Sequence, residues 1–138
     1  MQDHEVRFAH RNYSDRLIEY KAIMDRLIAF EEPHYNSLNK AIVLAADISP
    51  TAYMMTMLGV EIFIDFTISP YSDRTDFYYG KINCYLGEAK DSILHSFYFD
   101  HYGNFYSNHP NEDDCEEMTY NIEKNIILTL SKDIIKQL

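Results

Sequence analysis

The clearest pattern along the chain is an alternation. Val60, Ile62, Ile64, Phe66 and Ile68 alternate with Glu61, Phe63, Asp65 and Thr67 until Pro70, a period of two that gives an extended segment one strongly apolar face. After a polar turn at Tyr71 to Thr75, the segment Asp76 to Leu86 is extended again. It carries Tyr78, Ile82, Cys84 and Leu86 on one face and Phe77, Tyr79, Lys81, Asn83 and Tyr85 on the other. Ile93 to Phe99 follows as a further strand. His101, Tyr102, Gly103 and Asn104 then form a hairpin turn into Phe105 and Tyr106, because Gly and Asn tolerate the positive φ that such turns require. Three or four antiparallel strands result.

Elsewhere the period lengthens. Leu17, Tyr20, Met24, Leu27 and Ile28 recur at helical spacing, with Ser14 as N-cap and Pro33 as a stop. His34 to Asp47 carries Leu38, Ala41, Ile42 and Ala45 on one stripe and reads as a second helix packed back on the first, although Ile42-Val43-Leu44 also suits a strand. Ser49-Pro50 pairs an N-cap with a first-turn proline and opens a short helix that ends at Gly59; in the other reading Tyr53 to Leu58 is already extended. Cys115, Met118, Ile122, Ile126, Leu130 and Ile134 keep helical spacing almost to the end of the chain. The acidic run Asn111, Glu112, Asp113, Asp114, Glu116 and Glu117 begins this helix and Lys132 and Lys136 end it, the distribution a helix dipole favours. The pattern therefore predicts an α+β fold in one domain over residues 1–138: N-terminal helices, a three- to four-stranded antiparallel sheet, and a long C-terminal helix packed on the sheet.

Composition changes this picture in one respect. Apolar residues at 46% and charged residues at 25% are ordinary for a folded chain of 138 residues, a size that buries about two-thirds of its unfolded surface. The net charge of -10, with twelve Tyr and no Trp, is not ordinary. Residues 1–50 hold eight acids against six bases, and residues 51–138 hold fourteen against six. A negative field concentrated on the sheet and C-terminal helix steers encounter with a basic protein surface; the competing reading is that it serves solubility alone. Direct nucleic-acid binding is disfavoured, since acids outnumber bases by 22 to 12 and phosphate binding rests on Lys and Arg. The start mixes both charge signs without an apolar h-region, and no run approaches the roughly 18 apolar residues of a membrane span. A soluble cytoplasmic protein is expected.

Motifs that would name a reaction are missing. Cys84 and Cys115 lie far apart without a CxxC, against a disulfide framework or a zinc site. The acidic run lacks the spacing of a calcium loop, and no phosphate-cradling glycine loop, GxSxG elbow or HExxH occurs. No cofactor or metal is expected. His95, with Asp100 and His101 nearby in sequence, is the best acid–base candidate, because a histidine oriented by a carboxylate can move a proton near neutral pH; a structural histidine is the competing reading.

The better-supported candidate is a binding surface. Glu61 and Asp65 share a sheet face with Tyr79 and Tyr85, making aromatic rings edged by carboxylates, and Asp113, Asp114, Glu116 and Glu117 add charge at the helix start. Tyrosine combines a large rigid contact area with a polar tip, which suits a docking site. Alternatively, the first helices cover this face and the tyrosines are core-edge residues. The expected function is a non-enzymatic inhibitor of a basic partner protein, taking the place of nucleic acid on a nuclease toxin or a nucleic-acid-guided defence effector. In size, charge and lack of catalytic motif the chain resembles toxin-immunity proteins and phage-encoded inhibitors of host defence, including anti-CRISPR proteins. That likeness is compositional. The alternatives are a small α+β enzyme or ligand-binding domain whose aromatic pocket uses His95, Asp100 or Glu61, and an assembly protein whose exposed face makes a homodimer.

Overall fold

The computed structural model describes residues 2–30, 38–44, 49–71, 74–87, 92–111, 115–119 and 121–138, with only the backbone of 38–44 and 74–76. Among these residues the order is α1 (Asp3–Ala29), β1 (Leu38–Leu44), β2 (Tyr53–Met57), β3 (Val60–Tyr71), β4 (Arg74–Leu86), β5 (Ile93–Phe99), β6 (Phe105–Tyr106), β7 (Glu117–Met118) and α2 (Ile122–Ile135). The seven strands lie side by side in chain order in one curled sheet, and every pairing is antiparallel.

The sheet is thus wider than the three or four strands expected from sequence, and it gains them from segments read as helix. Residues 38–44 of the expected second helix form β1, paired with β2 from Leu38↔Met57 to Leu44↔Tyr53. The β-branched Ile42-Val43 pair favours extension once a neighbouring strand supplies hydrogen bonds. The remainder of that expected helix lies outside the described residues. The alternative reading of Tyr53 to Leu58 is the one observed. Leu58 and Gly59 both take positive φ, 53° and 78°, and join β2 to β3 as the two-residue hairpin that such values permit. Gly59 therefore closes a hairpin and not a helix.

Both helices differ from expectation in length. α1 begins at Asp3, well before Ser14, and runs for 27 residues. Its buried stripe starts with two polar side chains, Asn12 and Arg16, and continues as Tyr20, Ile23, Met24 and Leu27. The Asn12 amide Oδ1 accepts the backbone N–H of Tyr78 on β4 at 3.2 Å, and the Tyr20 phenol donates to the Thr51 carbonyl at 2.6 Å. α2 is only 14 residues long because Asn121 stands in the left-handed region (φ 50°, ψ 57°) and no helix continues upstream through it. The spacing of Cys115 and Met118 is coincidental: Glu117–Met118 is strand β7, so Glu116 and Glu117 do not begin the helix, while Glu112, Asp113 and Asp114 lie outside the described residues. The long helix is the N-terminal one, laid against β3 and β4, while α2 packs beside β5.

Helices and sheet share one core. Ile62, Ile64, Phe66, Ile82, Cys84 and Phe97 of the sheet meet Tyr20, Met24 and Leu27 of α1 and Ile126, Leu130 and Ile134 of α2. This is the face that the alternation beginning at Val60 predicts. No described helix is long and apolar enough to cross a membrane.

Candidate functional site

The opposite face of the sheet carries the site expected from sequence, assembled by cross-strand register. Phe63 faces Tyr85, Asp65 faces Asn83, and Thr67 faces Lys81 across β3 and β4. Lys81 faces Tyr98 and Asn83 faces Ser96 on β5. Tyr98 in turn faces Tyr106, and Tyr106 faces Glu117 of β7. Residues directly opposite in a ladder lie on the same face, so Glu61, Asp65, Tyr79, Tyr85 and Glu117 all belong to it. Glu117 reaches it as part of a strand, not as a helix start. Glu116 is exposed beside it, its N–H donating to the Ser107 hydroxyl at 3.2 Å. Asp113 and Asp114 lie outside the described residues.

Both described helices bury their apolar stripes on the other side, yet much of this face is recessed. Phe63, Asp65, Tyr79, Asn83 and Tyr98 are buried. The segment after β6 brings His109 edge-on to Tyr79 and Tyr98 at 5.5 and 5.0 Å. The floor is a polar ladder: the Ser96 hydroxyl donates to Asn83 Oδ1 at 3.1 Å, and Asn83 Nδ2 donates to the Thr67 hydroxyl at 3.0 Å. Above it, the Lys81 ammonium sits 5.7 Å from the centre of the Tyr98 ring, the approach by which a ring face attracts a cation.

The aromatic surface continues to the rim. Tyr79 stacks on Tyr71 at 4.1 Å, the Tyr71 hydroxyl hydrogen-bonds His101 Nδ1 at 3.1 Å, and His101 stacks on Phe77 at 4.6 Å. Tyr102 follows with its ring 3.9 Å from that of His101 and 79% of its surface open to solvent. The sequence expectation of open rings is therefore corrected in part. Tyr79 and Asp65 are sealed, Tyr85 is half-buried, and Glu61, Glu116, Glu117 and Tyr102 are exposed.

The acid–base cluster expected at His95, Asp100 and His101 is not assembled. His95 and Asp100 stand five strand residues apart, about 17 Å at 3.3 Å per residue. His95 belongs to the helix side: Nδ1 meets the Asp133 carboxylate of α2 at 2.9 Å, and Nε2 meets the Ser107 carbonyl. Cys84 is its cross-strand partner, so thiol, imidazole and carboxylate stand together as in a nucleophilic triad. Burial first, then Asp65 and Asp133, hold the Cys84 thiol far above its ordinary range, and a thiol kept protonated is not a nucleophile. Asp100 spends both oxygens on the turn after β5. No group of three potential metal ligands occurs among the described residues.

The phenols report on this packing. Burial, followed by the Asp100 charge, pushes Tyr71 up to about 12. Burial and then its hydrogen bond to Asp100 raise Tyr106 further, and burial raises Tyr20. A tyrosine whose folded value exceeds its unfolded value of about 10 stabilises the fold fully below that pH and loses its contribution as pH rises through the folded value. Alkaline titration is expected to show Tyr20, Tyr71 and Tyr106 ionising only together with loss of circular dichroism. Ionisation of all phenols near pH ~10 with the fold intact would contradict this packing.

No protein-family model, curated protein or solved structure matches the chain.

Proposed function

We propose that this chain is a non-enzymatic acidic binding protein that captures a basic protein through the rim and carboxylate edges of the sheet face opposite the described helices, and so inhibits it. The observation that carries the reading is the register: five chemically suited residues, Glu61, Asp65, Tyr79, Tyr85 and Glu117, share a face on which neither described helix packs. Because Tyr79 and Asp65 are recessed, they set the shape of the platform. First contact falls to Glu61, Glu116, Glu117 and the exposed ring of Tyr102. The non-enzymatic reading is supported by the spent hydrogen bonds of Asp100 and His95 and by the sealed thiol of Cys84. A basic partner that normally holds nucleic acid, such as a nuclease or a nucleic-acid-guided effector, has the matching charge.

The test is kinetic. A partner is isolated on the immobilised protein, and its association rate is measured at low and physiological ionic strength, where the Debye length falls from about 30 Å to about 8 Å. Glu61→Lys, Glu116→Lys and Glu117→Lys together are expected to slow association at least about tenfold at low salt, with little change in dissociation. An association rate indifferent to both salt and charge reversal would overturn the reading.

A further inference from the structure

On the helix side of the sheet, α1 outruns what it covers. Its buried positions run from Asn12 to Leu27, and Asp3–Arg11 contributes none, an overhang of about 13 Å at 1.5 Å per residue. A helical extension held by little tertiary packing is marginal in water; this one has no fully buried position, Phe8 and Ala9 are half-buried, and it is not polar all round. Ala9, His10, Tyr13 and Ile68 of β3 line an open groove of about 360 Å³. Val6, one turn before His10, is 41% exposed and borders a second depression with Asp3 and Arg7. Tyr13 is a firm wall for the groove, its ring held 5.2 Å from that of Phe66.

Charge selects the occupant. Within the overhang Asp3 and Glu5 are balanced by Arg7 and Arg11, so the whole of the -10 resides in the rest of the chain. Two copies of so acidic a protein repel each other, and they approach most easily where the surface is neutral and apolar. A basic protein would meet Arg7 and Arg11 here, on the side of the sheet away from Glu61 and Glu117.

We infer that the overhang of α1 is a self-association surface: in a two-fold dimer, the Asp3–Arg11 arm of each copy seats Val6 in the groove between Tyr13 and Ile68 of the other. A symmetric contact needs one self-complementary patch, and an apolar ridge beside an apolar groove is such a patch. The small Ala9 side chain lets two helix axes come within the usual 8–10 Å. A contact of this length buries less than the roughly 800 Å² per partner of a standard stable complex, which places it in the weak, transient class. The sheet face opposite the described helices stays open in such a dimer, giving two docking faces per assembly.

Sedimentation equilibrium across the micromolar range tests the inference on the protein alone. The mass is expected to rise to twice that of the chain, and added salt to strengthen the association by screening mutual repulsion. This is the opposite of the salt effect expected for capture of a basic partner, so the two readings fail independently. Val6→Asp, at an exposed position near a helix N-terminus where an acid suits the dipole, is expected to weaken the dimer at least tenfold without changing circular dichroism. Arg7→Glu with Arg11→Glu is expected to abolish it at low salt and to be partly rescued at high salt. A wild-type chain that stays monomeric throughout, or a dimer indifferent to Val6→Asp or to the double charge reversal, would overturn the inference.

Discussion

Gly80→Ala is expected to destabilise the fold by about 3 kcal/mol, the upper end of the usual cost of overpacking. Gly80 is not needed for an unusual backbone angle; it is needed for space. A Cβ at this position would run into the ring of Phe99, its cross-strand partner on β5. That ring has nowhere to go: it is 1% exposed, with Phe66 stacked on it at 6.3 Å and Phe105 at 6.5 Å. Interiors packed to crystal-like density transmit such an insertion to their neighbours. Urea denaturation measures the loss. Phe99→Leu placed in the Gly80→Ala background should recover about 1 kcal/mol or more relative to additivity, because the two positions share one volume. A Gly80→Ala protein within about 0.5 kcal/mol of the parent would show that the sheet yields at this point.

Asp100→Ala is expected to cost a similar amount, about 3 kcal/mol, by a different route. One buried carboxylate organises the whole turn between β5 and β6. Oδ1 accepts the backbone N–H groups of Tyr102 and Asn104, both at 2.9 Å. Oδ2 accepts the Asn104 side-chain amide at 3.1 Å and the Tyr106 phenol at 2.9 Å. Hydrogen bonds to a charged group contribute about 1.5–3 kcal/mol each, and removing the acceptor strands buried donors; because four bonds share one group, the total is far below their sum. Asp100→Asn keeps Oδ1 as an acceptor and should fall between the parent and Asp100→Ala in thermal melts. In both variants the Tyr106 phenol should titrate closer to its ordinary range, since its acceptor is weakened or gone. An alanine variant with unchanged melting and unchanged amide protection at Tyr102 and Asn104 would refute the role of Asp100.

The legible and illegible parts of this fold divide by whether the deciding interaction is local. The alternation from Val60 to Ile68 named a strand and the face that meets the helices, Ile62, Ile64 and Phe66, although Phe63 and Asp65 between them are buried as well. The two faces of β4 followed in the same way. β1 reads first as helix because Leu38, Ala41, Ile42 and Ala45 satisfy a helical stripe; the strand reading of Ile42-Val43-Leu44 is the one observed, and what extends the segment is the hydrogen-bonding edge of β2. The first turns of α1 are hidden because Asn12 and Arg16 occupy its buried stripe with polar atoms, and α2 starts late because Asn121 takes a left-handed backbone, which Asn tolerates but does not dictate. Of the candidate site, Glu61, Asp65, Tyr79 and Tyr85 came together on one face as expected, whereas Glu117 joined them through a strand that was read as helix. His95 was assigned the wrong carboxylate. Its partner Asp133 lies 38 residues away in sequence, beyond any spacing rule.

The strand order has a consequence for how the chain is made. Each strand's neighbour in space is its neighbour in sequence, so pairing needs only short loop closures. A nascent chain leaving the ribosome can add strands one at a time to the growing edge, with β2, β3 and β4 paired before β5 exists. α1 is synthesised first but finds its cover only once β3 and β4 have emerged, and the last core face closes when α2 arrives. Until then the growing sheet edge and the unburied stripe of α1 stand open to whatever meets the emerging polypeptide.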